Sequence, residues 1–204
     1  MIERKGKNGL NEIYVVGCGG SLKDFDWPWL KDKTTIAVNG SLLDVPQPDY
    51  FLTADSYLAN RAIKMNFWGV ETYKVLVMSH THHKFSLIEP FLSCFNYRIE
   101  PKHWDGYIGF TEDDFSTGQN SGFSAMQLAV ILGAKVIHLL GIDMNSNSSP
   151  YSNYHHRYHS TISDEFHTLF KLGIEKLKQN NIQVISHSPL SRLNDLIEYV
   201  PICK

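Results

Sequence analysis

Along the 204-residue chain, short runs of consecutive apolar and β-branched residues alternate with longer amphipathic or polar stretches. Six runs predict strands: Glu12–Cys18, Thr34–Asn39, Asp49–Asp55, Tyr73–Ser79, Val136–Ile142 and Ile182–Ser186. Each is too short for a helix, and most end in Gly, Asn, Asp or Ser. The intervals predict helices. Ser56–Asn66 has Asp55 or Ser56 as its N-cap, Phe85–Leu92 is short, and Phe25–Leu30 is a short helix or turn with Pro28 in its first turn. Ser121–Leu132 is the strongest helix, stopped by Gly133 in a left-handed conformation. In Thr161–Asn180, the residues Ile162, Phe166, Leu169, Phe170, Gly173, Ile174 and Leu177 fall on one stripe. Tyr97–Gln119 lacks a clear period and reads as irregular or as a small strand pair. Met144–Ser160 is a polar loop too long for a plain connector, which suggests a lid.

Continuously apolar strands are buried on both faces, and strand–helix alternation is the mark of a mostly parallel sheet. The expectation is a single α/β, Rossmann-like domain over 1–204, with helices on both faces and a lid loop at 144–160. Ligands of such sheets lie beyond the carboxyl ends of the strands. Those ends carry Gly17–Ser21, Asn39–Gly40, Asp55–Ser56, Ser79–His83, Asp143–Asn147 and His187–Ser188.

Composition narrows the partners. A net charge of −2 leaves no basic face of the kind that grips duplex nucleic acid. The three cysteines, Cys18, Cys94 and Cys203, form no CxxC pair, which fits free thiols in a reducing compartment. The polar start, Met1 to Asn11, has no signal-peptide core, and no apolar run reaches membrane-span length. A cytoplasmic protein is expected.

Several constellations carry candidate chemistry. Gly17-Cys18-Gly19-Gly20-Ser21 follows the first strand, where glycines let backbone N–H groups approach a phosphate. The plain alternative is a tight turn, and no Walker lysine follows. Asn39 stands where a dinucleotide fold places an acidic residue for the ribose, which argues against NAD. Asn120-Ser121-Gly122 opens the strongest helix, as an N-cap, an anion site or both. The lid gathers Asn145, Asn147, Tyr151, Asn153, Tyr154, His155, His156, Arg157, Tyr158 and His159. Tyrosine hydroxyls and Arg157 suit a leaving phosphate, and a histidine suits proton removal from an incoming hydroxyl. A disordered loop, or zinc on His155, His156 and His159, are the competing readings. His80, His82 and His83 fit a solvated loop better than a metal site. Asp55 and Asp143 each end a strand and suit Mg²⁺ against a polyphosphate. Cys18 as a catalytic thiol lacks a partner residue. Trp27, Trp29, Trp104 and Tyr107 suit packing better than base stacking.

The order of these motifs resembles the bacterial sialyltransferases of glycosyltransferase family 42 and the related 6-hydroxymethylpterin diphosphokinase-like proteins. Short phage and prophage proteins share the pattern. The matching pieces are Gly17–Leu22, Ile36–Asn39, Pro48–Tyr50, Asn120–Gly122, Leu132–Lys135, Leu140–Asp143 and Tyr158–Ser160. The resemblance implies a Rossmann-like fold that transfers a sugar from a CMP-type donor, with inversion and without a metal cofactor. It implies His159 as general base and makes Tyr151 and Tyr154 the candidates for the leaving phosphate, beside which the lid reading sets Arg157. Gly17, Cys18, Gly19, Gly20, Ser21, Asn39, Asp55, Asn120, Ser121, Gly122 and Asp143 are then the nucleotide-binding set. The family's first loop usually reads Gly-Asn-Gly-Pro-Ser; Cys18 and Gly20 replace its asparagine and proline. The diphosphokinase likeness implies ATP and Mg²⁺ instead, and a non-catalytic nucleotide-binding phage protein is the third reading. The acceptor is unassigned, and the partner expectations include a homo-oligomer.

Overall fold

The computed structural model describes residues 1–55, 58–59, 71–78, 89–145 and 164–202. The predicted strands all form: β1 (Glu12–Val16), β2 (Thr35–Val38), β3 (Tyr50–Thr53), β4 (Tyr73–Val77), β6 (Val136–Leu140) and β7 (Gln183–Ser186). Two more lie at the edges, β5 (Tyr97–Ile99) and β8 (Glu198–Tyr199). The order is β5-β4-β3-β2-β1-β6-β7-β8, and every neighbouring pair is parallel. This is an α/β, Rossmann-like architecture. Tyr97–Gln119 is thus neither wholly irregular nor a self-contained strand pair, because its first residues extend the sheet.

Two longer helices are described, α1 (Ser121–Leu132) and α2 (Asp164–Gln179). Gly122 to Leu132 are all buried, so α1 runs inside the molecule, as its near-uniform apolar sequence demands. It stops at Gly133, whose φ of 106° strongly disfavours a side chain. In α2 only one stripe is buried: Leu169, Phe170, Gly173, Ile174 and Leu177. Both helices lie on one face of the sheet, where the Phe123 and Phe170 rings meet edge-on at 5.4 Å. The opposite face carries Tyr14, Val16, Ala37, Phe51, Leu76 and Leu140, and is covered by Leu22, Leu30, Leu42, Val45 and Ala59. Most of that cover is supplied by 3₁₀ turns, including Trp27–Leu30 with its early proline. Leu58 and Ala59 are helical. The remainder of the predicted Ser56–Asn66 helix, His80–His83, the first half of Phe85–Leu92, the loop from Ser146 and the first residues of the Thr161 helix lie outside the described residues; Glu89–Cys94 is a 3₁₀ turn. No described helix is long and apolar enough to cross a membrane.

Two buried polar groups explain sequence features that patterning leaves open. Gln127 on α1 accepts from the Ser116 amide at 3.0 Å and donates to the Gly109 and Asp114 carbonyls at 3.3 and 3.2 Å. It anchors the aperiodic segment before α1 to the helix. Asp49 accepts from the Thr35 amide at 2.9 Å and the Lys7 amide at 3.1 Å. That places its carboxylate at the start of β2, at the end of the sheet opposite the Gly17–Ser21 turn.

Candidate functional site

Strand order reverses direction at β1, which has β2 on one side and β6 on the other. In open parallel sheets a crevice forms at such a point, beyond the strand ends. The loops that leave β1, β2, β3, β6 and β7 there begin at Gly17, Asn39, Ala54, Gly141 and His187.

The turn after β1 is built around a carboxylate. The Ser21 amide donates to Asp143 Oδ2 at 2.9 Å and the Ser21 hydroxyl to Oδ1 at 2.5 Å. Ser188 completes the arrangement: its Oγ accepts from the Gly141 amide at 2.8 Å and lies 3.1 Å from Ser21 Oγ. Ser21 has a single hydroxyl proton, and the shorter contact takes it to Asp143, which leaves the Ser188 hydroxyl to donate across the longer one. The Gly17 and Gly19 amides donate to Leu140 and Gly141 carbonyls, each at 2.8 Å. Gly19 must be glycine here, since a Cβ would sit 2.4 Å from the Asp143 carboxyl carbon. The turn therefore spends three of its amides on protein acceptors.

Cys18 points the other way. Its Sγ lies 3.5 Å from the Val38 carbonyl and accepts from the Gly40 and Ser41 amides. Burial outweighs those amides and pushes the thiol up to about 12, so it stays protonated and weakly nucleophilic at neutral pH. Ser41 pins the same corner, its hydroxyl donating to Val16 O at 2.6 Å and accepting from Val38 N at 2.8 Å.

Asn39 begins this corner with φ of 56° and is partly exposed. Its Oδ1 accepts from the Thr53 hydroxyl at 2.9 Å. Asp55 follows β3, and its Oδ1 accepts from the Leu58 amide at 3.3 Å, as a helix N-cap does. Asn120 caps α1, accepting from the Gly122 and Phe123 amides at 2.8 and 3.3 Å. The Ile142 side chain wedges between Gly17 and Gly122, with positions for added Cβ atoms 2.6 and 3.0 Å from its Cδ1. It seats the start of α1 against the glycine turn. The Asn120 amide approaches Met144 Sδ at 4.0 Å.

The described members of the predicted nucleotide set thus form one contiguous rim. It passes from Asp55 through Thr53 to Asn39, on through Cys18 to the glycine turn and Asp143, and ends at Asn120–Gly122. Tyr151, Tyr154, Arg157 and His159 lie outside the described residues, as do His155 and His156. Among the described residues no group of three or more His, Cys, Asp or Glu is arranged to hold a metal ion. Sequence reasoning gave Thr53 no role, and placed Ser188 at a strand end without its contact to Ser21. Thr53 sits inside an apolar strand, and Ser188 lies 167 positions from the serine it touches.

A histidine pair, also unforeseen, joins β6 to the residue that follows β7, with His138 buried and His187 half-buried. His187 Nδ1 faces the Val200 carbonyl at 2.6 Å and must donate, which leaves Nε2 to accept from His138 Nδ1 at 2.8 Å. The Tyr14 ring stacks on His138 with centroids 4.2 Å apart. His138 Nε2 is buried without a hydrogen-bond partner, 3.8 Å from Glu12 Oε2. Burial, the neighbouring His187 and Lys33 push His138 down to about 4.

Fold and rim together define the class: a Rossmann-like protein with its polar residues gathered at the switch point of a fully parallel sheet. No protein-family model and no curated protein matches the sequence. Among solved structures, the chain is similar to the sialyltransferase CstII from Campylobacter jejuni, determined with the substrate analogue cytidine-5'-monophosphate. The two are 18% identical with a TM-score of 0.55, over 94% of this chain and 85% of that one. What they share at this identity is the fold.

Proposed function

We propose that this protein is a nucleotide-sugar-dependent glycosyltransferase that uses a CMP-type donor. The observation that carries the reading is the contiguous rim from Asn39 through the glycine turn to Asn120–Gly122, at the switch point of a fold shared with a CMP-bound sialyltransferase. The donor phosphate lies against the Asn39 carboxamide, the Gly20 amide and the start of α1 at Ser121, where backbone donors and the helix dipole favour an anion. Ser21, Asp143 and Ser188 hold the turn in shape rather than contacting the phosphate, since Ser21 directs both donors to Asp143.

Chemistry follows from what has to move. The acceptor hydroxyl loses its proton to the neutral imidazole of His159, and its oxygen attacks the anomeric carbon. The bond from that carbon to the phosphate oxygen breaks, and the oxygen keeps the electron pair. Tyr151, Tyr154 and Arg157 stabilise the charge that develops there. Attack opposite the leaving phosphate inverts the anomeric centre.

The test is incubation with CMP-sialic acid and a panel of sugar acceptors, reading release of CMP with and without EDTA. Acceptor-dependent release that survives EDTA is the expected result. Activity on ATP that EDTA abolishes would replace this reading with pyrophosphate transfer, and CMP binding without turnover across the panel would replace it with a non-catalytic binding module.

A further inference from the structure

Asn39 has two faces to offer a ligand, an acceptor oxygen and a pair of donors, and a neighbour decides which one it presents. Thr53 is fully buried at the end of β3. Its Oγ1 accepts from the Asp55 amide at 3.1 Å. Its single proton then has two acceptors in range, Asn39 Oδ1 at 2.9 Å and the Asp55 carbonyl at 3.4 Å. The shorter bond goes to Asn39. Flipping the carboxamide would make Nδ2 the donor to an oxygen that already accepts from Asp55, and would leave the Thr53 proton only the longer contact. Asn39 is therefore held with Oδ1 turned inward and Nδ2 outward. Nothing among the described residues accepts from Nδ2, and Asn39 is partly open to solvent. Its backbone is fixed as well, at φ 56°, by the Ser41 corner.

We propose that Thr53 is a positioning residue: it locks the Asn39 carboxamide so that Nδ2 donates to an acceptor oxygen of the bound nucleotide. This rests on the nucleotide reading above. Thr53 does not touch the ligand, and its contribution passes entirely through Asn39. A site that presents two N–H donors at this corner selects a phosphate or carbonyl oxygen and rejects a hydrogen-bond donor.

Titration of the full chain with CMP by calorimetry tests it. Thr53→Val, which keeps the shape and removes the hydroxyl, is expected to weaken CMP binding about 5- to 10-fold. Thr53→Ser is expected to bind as the parent does. Asn39→Asp, which puts a carboxylate oxygen where Nδ2 stood, is expected to bind more weakly than Asn39→Ala. The decisive comparison is the double-mutant cycle, in which Thr53→Val costs nothing further once Asn39 is alanine. Thr53→Cys, a weaker donor of similar size, supplies the same cycle if the valine variant does not fold. Equal binding by Thr53→Val or Thr53→Cys and the parent, or an equal loss in the Asn39→Ala background, overturns the positioning role alone. Failure of the parent to bind CMP overturns the nucleotide reading, and the role of Thr53 with it.

Discussion

Ser21 gives both of its donors to one carboxylate, its amide to Asp143 Oδ2 at 2.9 Å and its hydroxyl to Oδ1 at 2.5 Å. The pair joins the loop after β1 to the loop after β6, two adjacent strands whose loops diverge at the switch point. Asp143 is almost fully buried, so its carboxyl group relies on protein donors, these two among them, for hydrogen bonding. Asp143→Ala leaves the Ser21 amide and hydroxyl without their acceptor and is expected to cost about 2–4 kcal/mol. Gly19→Ala should destabilise in the same direction, because its Cβ would displace the carboxylate. Urea denaturation reads both; unchanged midpoints would show that the clasp contributes nothing to folding.

The histidine pair makes stability depend on pH. His138 sits neutral between Tyr14 and His187, and burial holds its pKa at about 4, below the ordinary 6.5. His187 is shifted down as well, chiefly by burial. Between pH 6.5 and 4 the unfolded chain takes up a proton that the folded chain refuses, so acid favours unfolding. The contribution is complete above about pH 6.5 and is lost as pH falls toward 4. Of the facing charges, Lys33 opposes protonation and Glu12, 3.8 Å from Nε2, favours it. His138→Phe keeps a ring against Tyr14 and removes the titrating group. Its denaturation midpoint should fall less between pH 7.5 and pH 5 than that of the parent, and parallel pH profiles would exclude His138 as the source.

Gln127 is the polar exception in a buried helix, and it satisfies three backbone groups of the preceding segment. Gln127→Leu preserves volume and helix propensity but strands the Ser116 amide and two carbonyls. The expected cost is about 2–4 kcal/mol. Hydrogen exchange at Ser116 should accelerate further than at residues of β1, which the substitution does not touch. Uniform acceleration would mean that Gln127 supports the whole fold rather than this segment.

Most strands legible in the sequence were those buried on both faces, because their composition has no competing explanation; β7, with Gln183 exposed and Ile185 half-buried, was legible from its β-branched residues instead. The edges were not legible. β5 has Arg98 exposed, and β8 has both Glu198 and Tyr199 exposed, so neither shows an apolar run. Three and two residues respectively are also too few to display a period. α1 was readable to its last residue because Asn120 caps it and Gly133 stops it. The rim was legible as a set of strand ends, since parallel topology delivers them to one edge. Its wiring was not. That Asp143 fills the glycine turn depends on a contact across 122 positions, and that Thr53 orients Asn39 depends on which atom of a carboxamide faces inward. Neither leaves a local signature, whereas the cap of a helix does.

Removing the imidazole of His159 separates binding from chemistry. In the proposed mechanism this residue accepts a proton from the acceptor and makes no contact with the nucleotide, which rests on Asn39, Gly20 and Ser121. His159→Ala should therefore reduce turnover of CMP-sialic acid about 10²- to 10⁴-fold, the usual range for loss of a general base. The dissociation constant for CMP should stay within about twofold of the parent, a change of only ~0.4 kcal/mol. Tyr151→Phe and Tyr154→Phe act on the leaving phosphate and should lower kcat more than they raise KM. The pH profile adds an independent check: the rate of the parent should fall on the acid side as a histidine protonates, and the residual rate of His159→Ala should lack that limb. Turnover by His159→Ala at the parent's rate would remove this residue from the proton transfer and require another base.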